Sequence, residues 1–152
     1  MFANYDCLII HLDADIALEK ELLSLALAAP CPPARETCDL IRTYVASLLG
    51  GNLSLKVVLC VPAQCTEAWI VAALYPDEAA KFAPIECRNE PERLLIQKPD
   101  KLVRDKDGTA KKQVNQYKKS INKLVAGWSD AVTACAEAPR FEAECRDALS
   151  KM

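Results

Sequence analysis

The sequence predicts an α/β fold in which helices flank a parallel sheet and the C-terminal part is rich in helices. Two apolar runs, which begin at Tyr5 and Leu55, predict strands, and the first is typical of a strand buried on both faces. In the segment between them, apolar residues recur at the spacing typical of helices. Glycine is scarce, with 4 in 152 residues, which disfavours an all-β fold. At 51% hydrophobic, the chain can form the core of one domain but is short for two.

The segment between the two strands predicts a helical crossover. A first helix begins near Ile16 and ends before the stiff connector 30–33, which contains three prolines. A second helix spans about 34–49, and Gly50 and Gly51 end it in a turn. Since the crossover joins two strands, we expect these strands to be parallel and the connection to be right-handed.

The second half of the chain predicts mainly short helices and loops. Thr66 is the predicted N-cap of the helix that carries Trp69 and Leu74. The further expectations are a helical turn at 77–82, a short edge strand at 84–87, a helical piece at 90–96, a charged loop at 104–109, and helices at 110–128 and 129–151, the last broken near Pro139.

Three acidic residues follow the two predicted strands. Asp13 and Asp15 come directly after the first strand, and Glu67 lies in the first turn of the helix after the second. The carboxyl ends of parallel strands meet at one edge, where α/β proteins bind ligands, so we expect these carboxylates to converge. A hard cation such as Mg²⁺ or Mn²⁺ is the commonest partner of such carboxylates. The sequence therefore predicts a metal-dependent phosphoryl-transfer or nuclease-like site with all three as metal ligands and catalytic residues.

Each of these residues also has a purely structural interpretation. Asp13 and Asp15 could cap the following helix, and Glu67 could complement a helix dipole. His11 alternates with apolar residues, which favours a core histidine over a catalytic one. Trp69 and Trp128 are expected to anchor the core.

Lysine is concentrated from residue 98 onward. Nine Lys and Arg residues outnumber three Asp residues between 98 and 123, although the formal net charge of the chain is -2. Such a segment is either a solvated face or a surface that contacts phosphates. The candidate nucleic-acid-binding residues are Lys98, Lys101, Lys111, Lys112, Lys118 and Lys119.

Several features favour a cytoplasmic location. The first residues carry no positive segment typical of a secretory signal, and no apolar stretch approaches the roughly 20 residues of a membrane span. The eight cysteines include no CxxC pair, and the chain has one histidine, which disfavours zinc. Several cysteines lie among Leu, Val and Ala, so we expect reduced thiols.

Five short motifs resemble the Toprim-like proteins of the DUF4276 type, a bacterial family linked to mobile elements and phage defence. They are Leu12-Asp13-Ala14-Asp15, Thr66-Glu67-Ala68-Trp69, Asn89-Glu90-Pro91-Glu92, Lys98-Pro99-Asp100-Lys101 and Tyr117-Lys118-Lys119. The resemblance covers most of the chain. It implies a single Toprim-like α/β domain over residues 1–152, whose portion 98–152 is basic and helical, and Mg²⁺-dependent phosphodiester chemistry. Asp13 and Asp15 match the family's Asp-x-Asp pair, and Glu67 matches its downstream acidic position.

One departure from the family pattern concerns the amino end. Toprim domains usually begin with an earlier strand that ends in a glutamate, and only four residues precede Tyr5 here. The resemblance therefore implies that this strand lies upstream of the chain or that the site is incomplete. We also expect additional short strands or pairing between subunits in a homodimer, since two strands make a marginal sheet.

Four functions are compatible with these residues. The first is a Mg²⁺-dependent nuclease or related phosphodiesterase of Toprim type. The second is a haloacid-dehalogenase-like phosphatase with Asp13 as nucleophile and Asp15 as acid, although no strand after Val61 supplies the further Asp pair and lysine that it needs. The third is a glycosyltransferase-like Asp-x-Asp site, for which the preceding nucleotide-binding strand is missing. The fourth is a catalytically inactive regulatory or immunity module with the same fold.

Overall fold

The computed structural model describes residues 7–19, 31–54 and 56–150. The fold is mixed α/β, as predicted. The described residues form six α-helices: α1 (Ala34–Leu48), α2 (Glu67–Leu74), α3 (Pro76–Ala80), α4 (Val114–Ala126), α5 (Trp128–Ala134) and α6 (Glu137–Leu149). They also form four strands: β1 (Leu8–His11), β2 (Val57–Cys60), β3 (Val103–Lys106) and β4 (Thr109–Lys112). Three 3-10 helices span Ala14–Leu18, Ile85–Cys87 and Pro91–Leu95.

The chain divides into two compact units. The first comprises residues 1–63 and 136–152, and the second comprises residues 64–135. The predicted basic C-terminal portion is therefore shared between the two units. The single Toprim-like domain over 1–152 stays a prediction.

The first unit contains the predicted parallel strand pair. β1 and β2 run parallel, with Leu8 opposite Val57 and His11 opposite Cys60. Helix α1 connects to β2 through Gly50 and adjacent turn residues, as the sequence predicts. Only the start of the helix expected from Ile16 is described, as a 3-10 helix, and residues 20–30 of that prediction lie outside the described residues.

Burial differs between the two strands. Val58, Leu59 and Cys60 of β2 are buried, as expected for a strand covered on both faces. In β1, by contrast, Ile9 is 53% exposed and His11 is also exposed, while Leu8 and Ile10 are half-buried. The predictions that β1 is buried on both faces and that His11 is a core residue are therefore wrong. An apolar run reveals the strand but does not reveal which of its faces is covered.

Side chains complete the outer edge of β2. The Leu59 N–H donates to Oε2 of Glu144 at 3.1 Å, and its carbonyl accepts a hydrogen bond from Nη2 of Arg42 at 2.7 Å. Arg42 projects from α1 and Glu144 from α6. Both polar groups of an edge residue are thus satisfied without a third strand, which is one way to protect an edge from adventitious pairing.

A buried ionic cluster packs α1 against α6. Glu137 is fully buried, and its carboxylate lies 3.6 Å from Nε of Arg42, 3.7 Å from Nη1 of Arg140 and 3.9 Å from Nε of Arg35. Burial raises the pKa of Glu137, and the nearby arginines oppose this effect. These contacts are too long for strong hydrogen bonds, so Glu137 is neutralised by surrounding charge rather than by one close partner.

The second unit is built around α2. All residues from Glu67 to Ala73 are buried, and α2 packs against α4 and α5. The rings of Trp69 and Trp128 meet edge to face, with centroids 5.8 Å apart. Trp69 is a core residue, as predicted, whereas Trp128 is half-buried.

A β-hairpin replaces the loop predicted at 104–109. β3 and β4 are antiparallel, and Asp107 and Gly108 connect them with φ values of 56° and 78°. Two consecutive residues with positive φ form the two-residue turn that suits hairpins, and Asp-Gly is its strongest short signal. The loop prediction is wrong, because the Asp107-Gly108 dipeptide forms the turn of a hairpin.

Two further sequence predictions are wrong in detail. The short edge strand at 84–87 is a 3-10 helix, in which the Cys87 N–H donates to the Pro84 carbonyl. The last helical region breaks at Cys135, between α5 and α6, and not near Pro139. Pro139 lies in the first turn of α6, where a proline removes no intrahelical hydrogen bond.

Six of the described cysteines are free thiols, which agrees with the prediction of reduced cysteines: Cys7, Cys38, Cys60, Cys65, Cys135 and Cys145. Cys31 and Cys87 are each disulfide-bonded, so the prediction is wrong for these two. Neither lies in a regular strand or α-helix, which is where the small-hydrophobe interpretation of cysteine applies. Among the described helices, none has the length and apolar character needed to cross a membrane.

Candidate functional site

Asp13 and Asp15 lie where the sequence predicts, just beyond the carboxyl end of β1. Asp13 occupies the N-cap position of the 3-10 helix Ala14–Leu18, and Asp15 lies in its first turn. The Asp13 side chain makes no capping hydrogen bond. Its Oδ1 lies instead 3.2 Å from Nε2 of His11. The capping interpretation therefore does not account for Asp13.

The backbone after Asp13 is tied to the residue that follows β2. The Ala14 N–H donates to the Pro62 carbonyl at 2.9 Å, which extends the parallel pairing past both strand ends. The charge of Asp13 also acts electrostatically on Cys60 at the end of β2. Burial first and the Asp13 carboxylate second raise the pKa of Cys60 to about 12. The Asp13 carboxylate therefore gives the carboxyl end of this parallel pair a negative electrostatic environment.

Glu67 is the first residue of α2 and is only 2% exposed. Its Oε1 lies 2.9 Å from Nζ of Lys112 and accepts a 3.1 Å hydrogen bond from the Tyr117 hydroxyl. Its Oε2 is buried and has no hydrogen-bond partner. Thr66 occupies the predicted N-cap position, but its hydroxyl does not cap the helix.

The two donors to Glu67 come from different elements of the second unit. Lys112 ends β4, and Tyr117 lies in the first turns of α4. Lys112 is one of the predicted nucleic-acid-binding residues, whereas no sequence pattern predicts a role for Tyr117 at this site. No local pattern could connect them to Glu67, because the connection depends on the hairpin that returns the chain to α2.

The charges of Glu67 and Glu92 both act on Cys65 and Tyr117. The Cys65 thiol donates a weak hydrogen bond to Oε2 of Glu92 at 3.9 Å. Burial, followed by the charge of Glu67, raises the pKa of the Cys65 thiol above its usual range. The same two causes raise the pKa of Tyr117, so its hydroxyl stays protonated and remains a donor to Glu67.

The six candidate nucleic-acid-binding lysines fall into two groups. Lys98 is half-buried, 3.1 Å from Oε2 of Glu78 and 5.1 Å from the ring centre of Tyr75, and Lys112 pairs with Glu67. The other four, like Lys112, are exposed, in keeping with either a solvated face or a phosphate-contacting one: Lys101, Lys111, Lys118 and Lys119.

An apolar cavity that the sequence analysis did not predict lies beside the start of α2. Its volume is about 440 Å³, and its lining comes from α2, α4, α5 and the residue before α2: Thr66, Trp69, Ile70, Ala73, Leu124, Val125 and Trp128. The cavity offers almost no polar group. It could therefore exclude water on that side of α2 but could not hold a cation.

The convergence of Asp13, Asp15 and Glu67 stays a prediction, since the aspartates belong to the first unit and Glu67 to the second. Within residues 7–19, 31–54 and 56–150, no three His, Cys, Asp or Glu side chains are grouped in a way that could hold a metal ion. What each unit supplies is clear. The first offers Asp13 and Asp15, two positions apart in sequence just beyond a strand, and the second offers a buried carboxylate with one oxygen that has no hydrogen-bond partner.

No protein-family model matches this sequence, and neither a curated protein nor a solved structure matches it. The resemblance to the Toprim-like family rests on the five motifs alone. The functional conclusion consequently depends on the chemistry of the side chains described above.

Proposed function

We propose that the protein is a Mg²⁺-dependent nuclease, or a related phosphodiesterase, of Toprim type that acts on nucleic acid. The observation that carries this proposal is the carboxylate of Glu67. One of its oxygens is paired with the Lys112 ammonium and accepts a hydrogen bond from Tyr117, and the other is buried with no hydrogen-bond partner. A buried acceptor left unsatisfied costs about 1–3 kcal/mol. A ligand that supplies positive charge to Oε2 would offset this cost.

Asp13 and Asp15 are the other proposed ligands, as the sequence predicts. Their position at the carboxyl end of a parallel strand is where open α/β sheets bind ligands. Three carboxylates suit Mg²⁺ or Mn²⁺, which prefer oxygen ligands. When bound, such a cation polarises the phosphate and lowers the pKa of the attacking water.

Nucleic acid is the proposed substrate because exposed lysines lie next in sequence to Lys112 and Tyr117, which contact Glu67. Lys111, Lys118 and Lys119 are exposed and are available to phosphates, whereas Lys112 neutralises Glu67. Each lysine that contacts a phosphate adds affinity that falls with increasing salt. The proposed location is the cytoplasm, and a homodimer is the proposed source of further strands.

The test is a cleavage assay with purified protein on supercoiled plasmid and on single-stranded RNA, with Mg²⁺, with Mn²⁺ and with EDTA. A small phosphate monoester assayed alongside separates a nuclease from a phosphatase. We expect cleavage that requires the cation and is lost in Asp13→Ala. The matched control is Asp77→Asn, which alters an exposed carboxylate in the first turn of α3 and should leave cleavage unchanged.

The rival candidate is a catalytically inactive regulatory or immunity module. It is favoured by the finding that, in the part of the chain that the structure describes, no three potential metal ligands are grouped suitably. This candidate predicts no cleavage with either cation. It also predicts that Asp13→Ala leaves cation binding unchanged, which calorimetric titration with Mn²⁺ would reveal.

A further inference from the structure

One face of the β3–β4 hairpin carries only cationic side chains and a hydroxyl. Side chains alternate between the two faces of a strand, and residues directly opposite each other in a strand pair share a face. The register pairs Arg104 with Lys111 and Lys106 with Thr109, so these four side chains lie on the same face. All four residues are exposed. Together they form the outer face of the hairpin.

The opposite face of the hairpin is turned toward the core of the second unit. Val103 on this face is 1% exposed, and Lys112, which lies opposite Val103, reaches Oε1 of Glu67. Asp105 belongs to the same face, and its Oδ1 accepts a hydrogen bond from the Gly108 N–H at 2.9 Å. The four residues of the outer face therefore include no carboxylate.

Both ends of the hairpin are held in place. At its base, the Gln113 N–H donates to the carbonyl of Leu102 at 2.8 Å, and Leu102 is 1% exposed. At its turn, Nη2 of Arg93 in the 3-10 helix Pro91–Leu95 donates to the Gly108 carbonyl at 3.1 Å. The outer face thus presents its charges from a fixed backbone, which lowers the entropy cost of binding a partner.

The cations of the outer face repel one another and are not neutralised by neighbouring acids. Arg104 and Lys111 lie directly opposite each other, an arrangement in which like charges destabilise a strand pair. In the part of the chain that the structure describes, no ion pair joins Arg104, Lys106 or Lys111 to a carboxylate. An anion that contacts two of these side chains would offset their repulsion.

The composition of the outer face favours duplex nucleic acid over other polyanions. Proteins that bind anionic membranes add an apolar surface to their cations, and protein interfaces have apolar or aromatic centres that are poor in lysine. Single-stranded nucleic acid stacks its bases on aromatic side chains. The four residues of the outer face supply neither kind of group. A duplex keeps its bases stacked inside and presents phosphates, which arginine and lysine bind without apolar contacts.

We propose that the outer face of the hairpin binds the phosphate backbone of duplex nucleic acid through Arg104, Lys106 and Lys111. The inference rests on the proposed function, because nucleic acid is the substrate proposed there. It assigns substrate binding in the second unit to a hairpin, and it adds Arg104 and Lys106 to the predicted lysines. Contacts with phosphates carry no base information, so the affinity should not depend on the base sequence.

The experiment compares Arg104→Gln/Lys111→Gln with Arg146→Gln/Lys81→Gln. Each double variant loses one arginine and one lysine charge, but Arg146 and Lys81 are each already paired with a carboxylate. Affinity for a fluorescent DNA duplex is measured by anisotropy between about 50 and 200 mM salt, the range over which phosphate contacts have a large effect. EDTA is present throughout, so that binding is measured without cleavage.

The expected result concerns the salt dependence of the affinity. The slope of log affinity against log salt changes by about 0.9 for each phosphate contact with a DNA duplex. Arg104→Gln/Lys111→Gln should therefore make the slope shallower by about 2, and over this range of salt it should lose about 10-fold less affinity than the unmodified protein. Arg146→Gln/Lys81→Gln should keep the slope. Arg104→Lys, which retains the charge, should keep it as well.

The outcomes separate this inference from the proposed function. If the protein cleaves nucleic acid with Mg²⁺ but Arg104→Gln/Lys111→Gln keeps the original slope, the inference is overturned and the function stands. If the slope becomes shallower as expected and the protein cleaves nothing, the inference stands and the function fails.

Three further results would overturn the inference. The first is the absence of duplex binding by the unmodified protein at low salt. The second is an equal change of slope in both double variants, because it would indicate an effect of net charge alone. The third is tighter binding to single-stranded RNA or to phosphatidylserine vesicles than to the duplex, because the outer face would then have a different partner.

Discussion

Nη1 of Arg42 donates to Oε1 of Glu144 at 2.6 Å, and together these side chains bind both polar groups of the Leu59 peptide. The pair occupies the outer edge of β2, where a third strand would otherwise pair. Arg42 is almost completely buried, with 7% of its side chain exposed. Removing Arg42 would take a hydrogen bond from the Leu59 carbonyl, and removing Glu144 would take one from the Leu59 N–H and leave the buried Arg42 without a close partner.

Arg42→Met should lower the free energy of unfolding by about 3 kcal/mol, the lower end of what breaking a buried ion pair costs. The measurement is urea-induced unfolding followed by circular dichroism. The control is Arg146→Met, which removes an exposed pair with Glu142 on the same helix and should cost less than about 1 kcal/mol. Equal losses of unfolding free energy in the two variants would show that the contact of Arg42 with β2 adds no more stability than an exposed ion pair.

Gly127→Ala should destabilise the second unit, because a Cβ at this position would lie 2.0 Å from the backbone oxygen of Ala73. The Ala73 backbone cannot move aside as a flexible side chain can, so α5 would have to move away from α2. We expect a loss of about 1–3 kcal/mol, typical of overpacking. Thermal unfolding compared with that of Ser129→Ala, an exposed substitution in α5, measures the effect. An unchanged melting temperature in Gly127→Ala would contradict the close packing of these helices.

Asp100 should contribute to stability in a pH-dependent way. Hydrogen bonds from Lys123 first and from Tyr75 second lower the pKa of Asp100. A carboxyl whose pKa is lower in the folded state stabilises the fold above its unfolded pKa of about 3.9, and this contribution is lost as the pH falls through the folded value. Asp100→Asn should therefore be less stable than the unmodified protein at pH 7, and the difference should shrink below about pH 4. A difference that is constant between pH 7 and pH 3 would contradict this account.

Cys60 and Cys135 should resist alkylation in the folded protein. Burial is the main cause that raises the pKa of each thiol to about 12, so the thiolate is scarce at pH 8. Mass spectrometry after iodoacetamide treatment should find both unmodified without denaturant and fully modified in guanidinium chloride. Rapid labelling of either residue in the folded protein would contradict the burial described here.

Sequence reasoning predicted best where a feature depends on neighbours in the chain. The parallel pairing of β1 and β2, helix α1 and the position of Glu67 at the start of α2 follow from apolar runs, periodicity and turn residues. It failed where the outcome depends on distant partners. Whether β1 is covered on one face or two is set by what packs against it, which an apolar run does not encode.

The candidate site shows the same division. Glu67 is predicted from its place after a strand, but its contacts with Lys112 and Tyr117 depend on a hairpin in a segment predicted to be a loop. The Asp107-Gly108 turn was the available signal for that hairpin. The edge contacts of Arg42 and Glu144 span 102 residues of sequence, and no local pattern predicts them.

The most direct test of the central claim is the rate of Mg²⁺-dependent phosphodiester cleavage by Glu67→Gln, which keeps the shape of the side chain but removes its charge. The control is Glu90→Gln, an exposed carboxylate paired only with Arg93 in the contacts described. We predict that Glu67→Gln lowers cleavage at least about 100-fold and that Glu90→Gln leaves it unchanged. Cleavage by Glu67→Gln at the rate of the unmodified protein would contradict the assignment of Glu67 as a cation ligand.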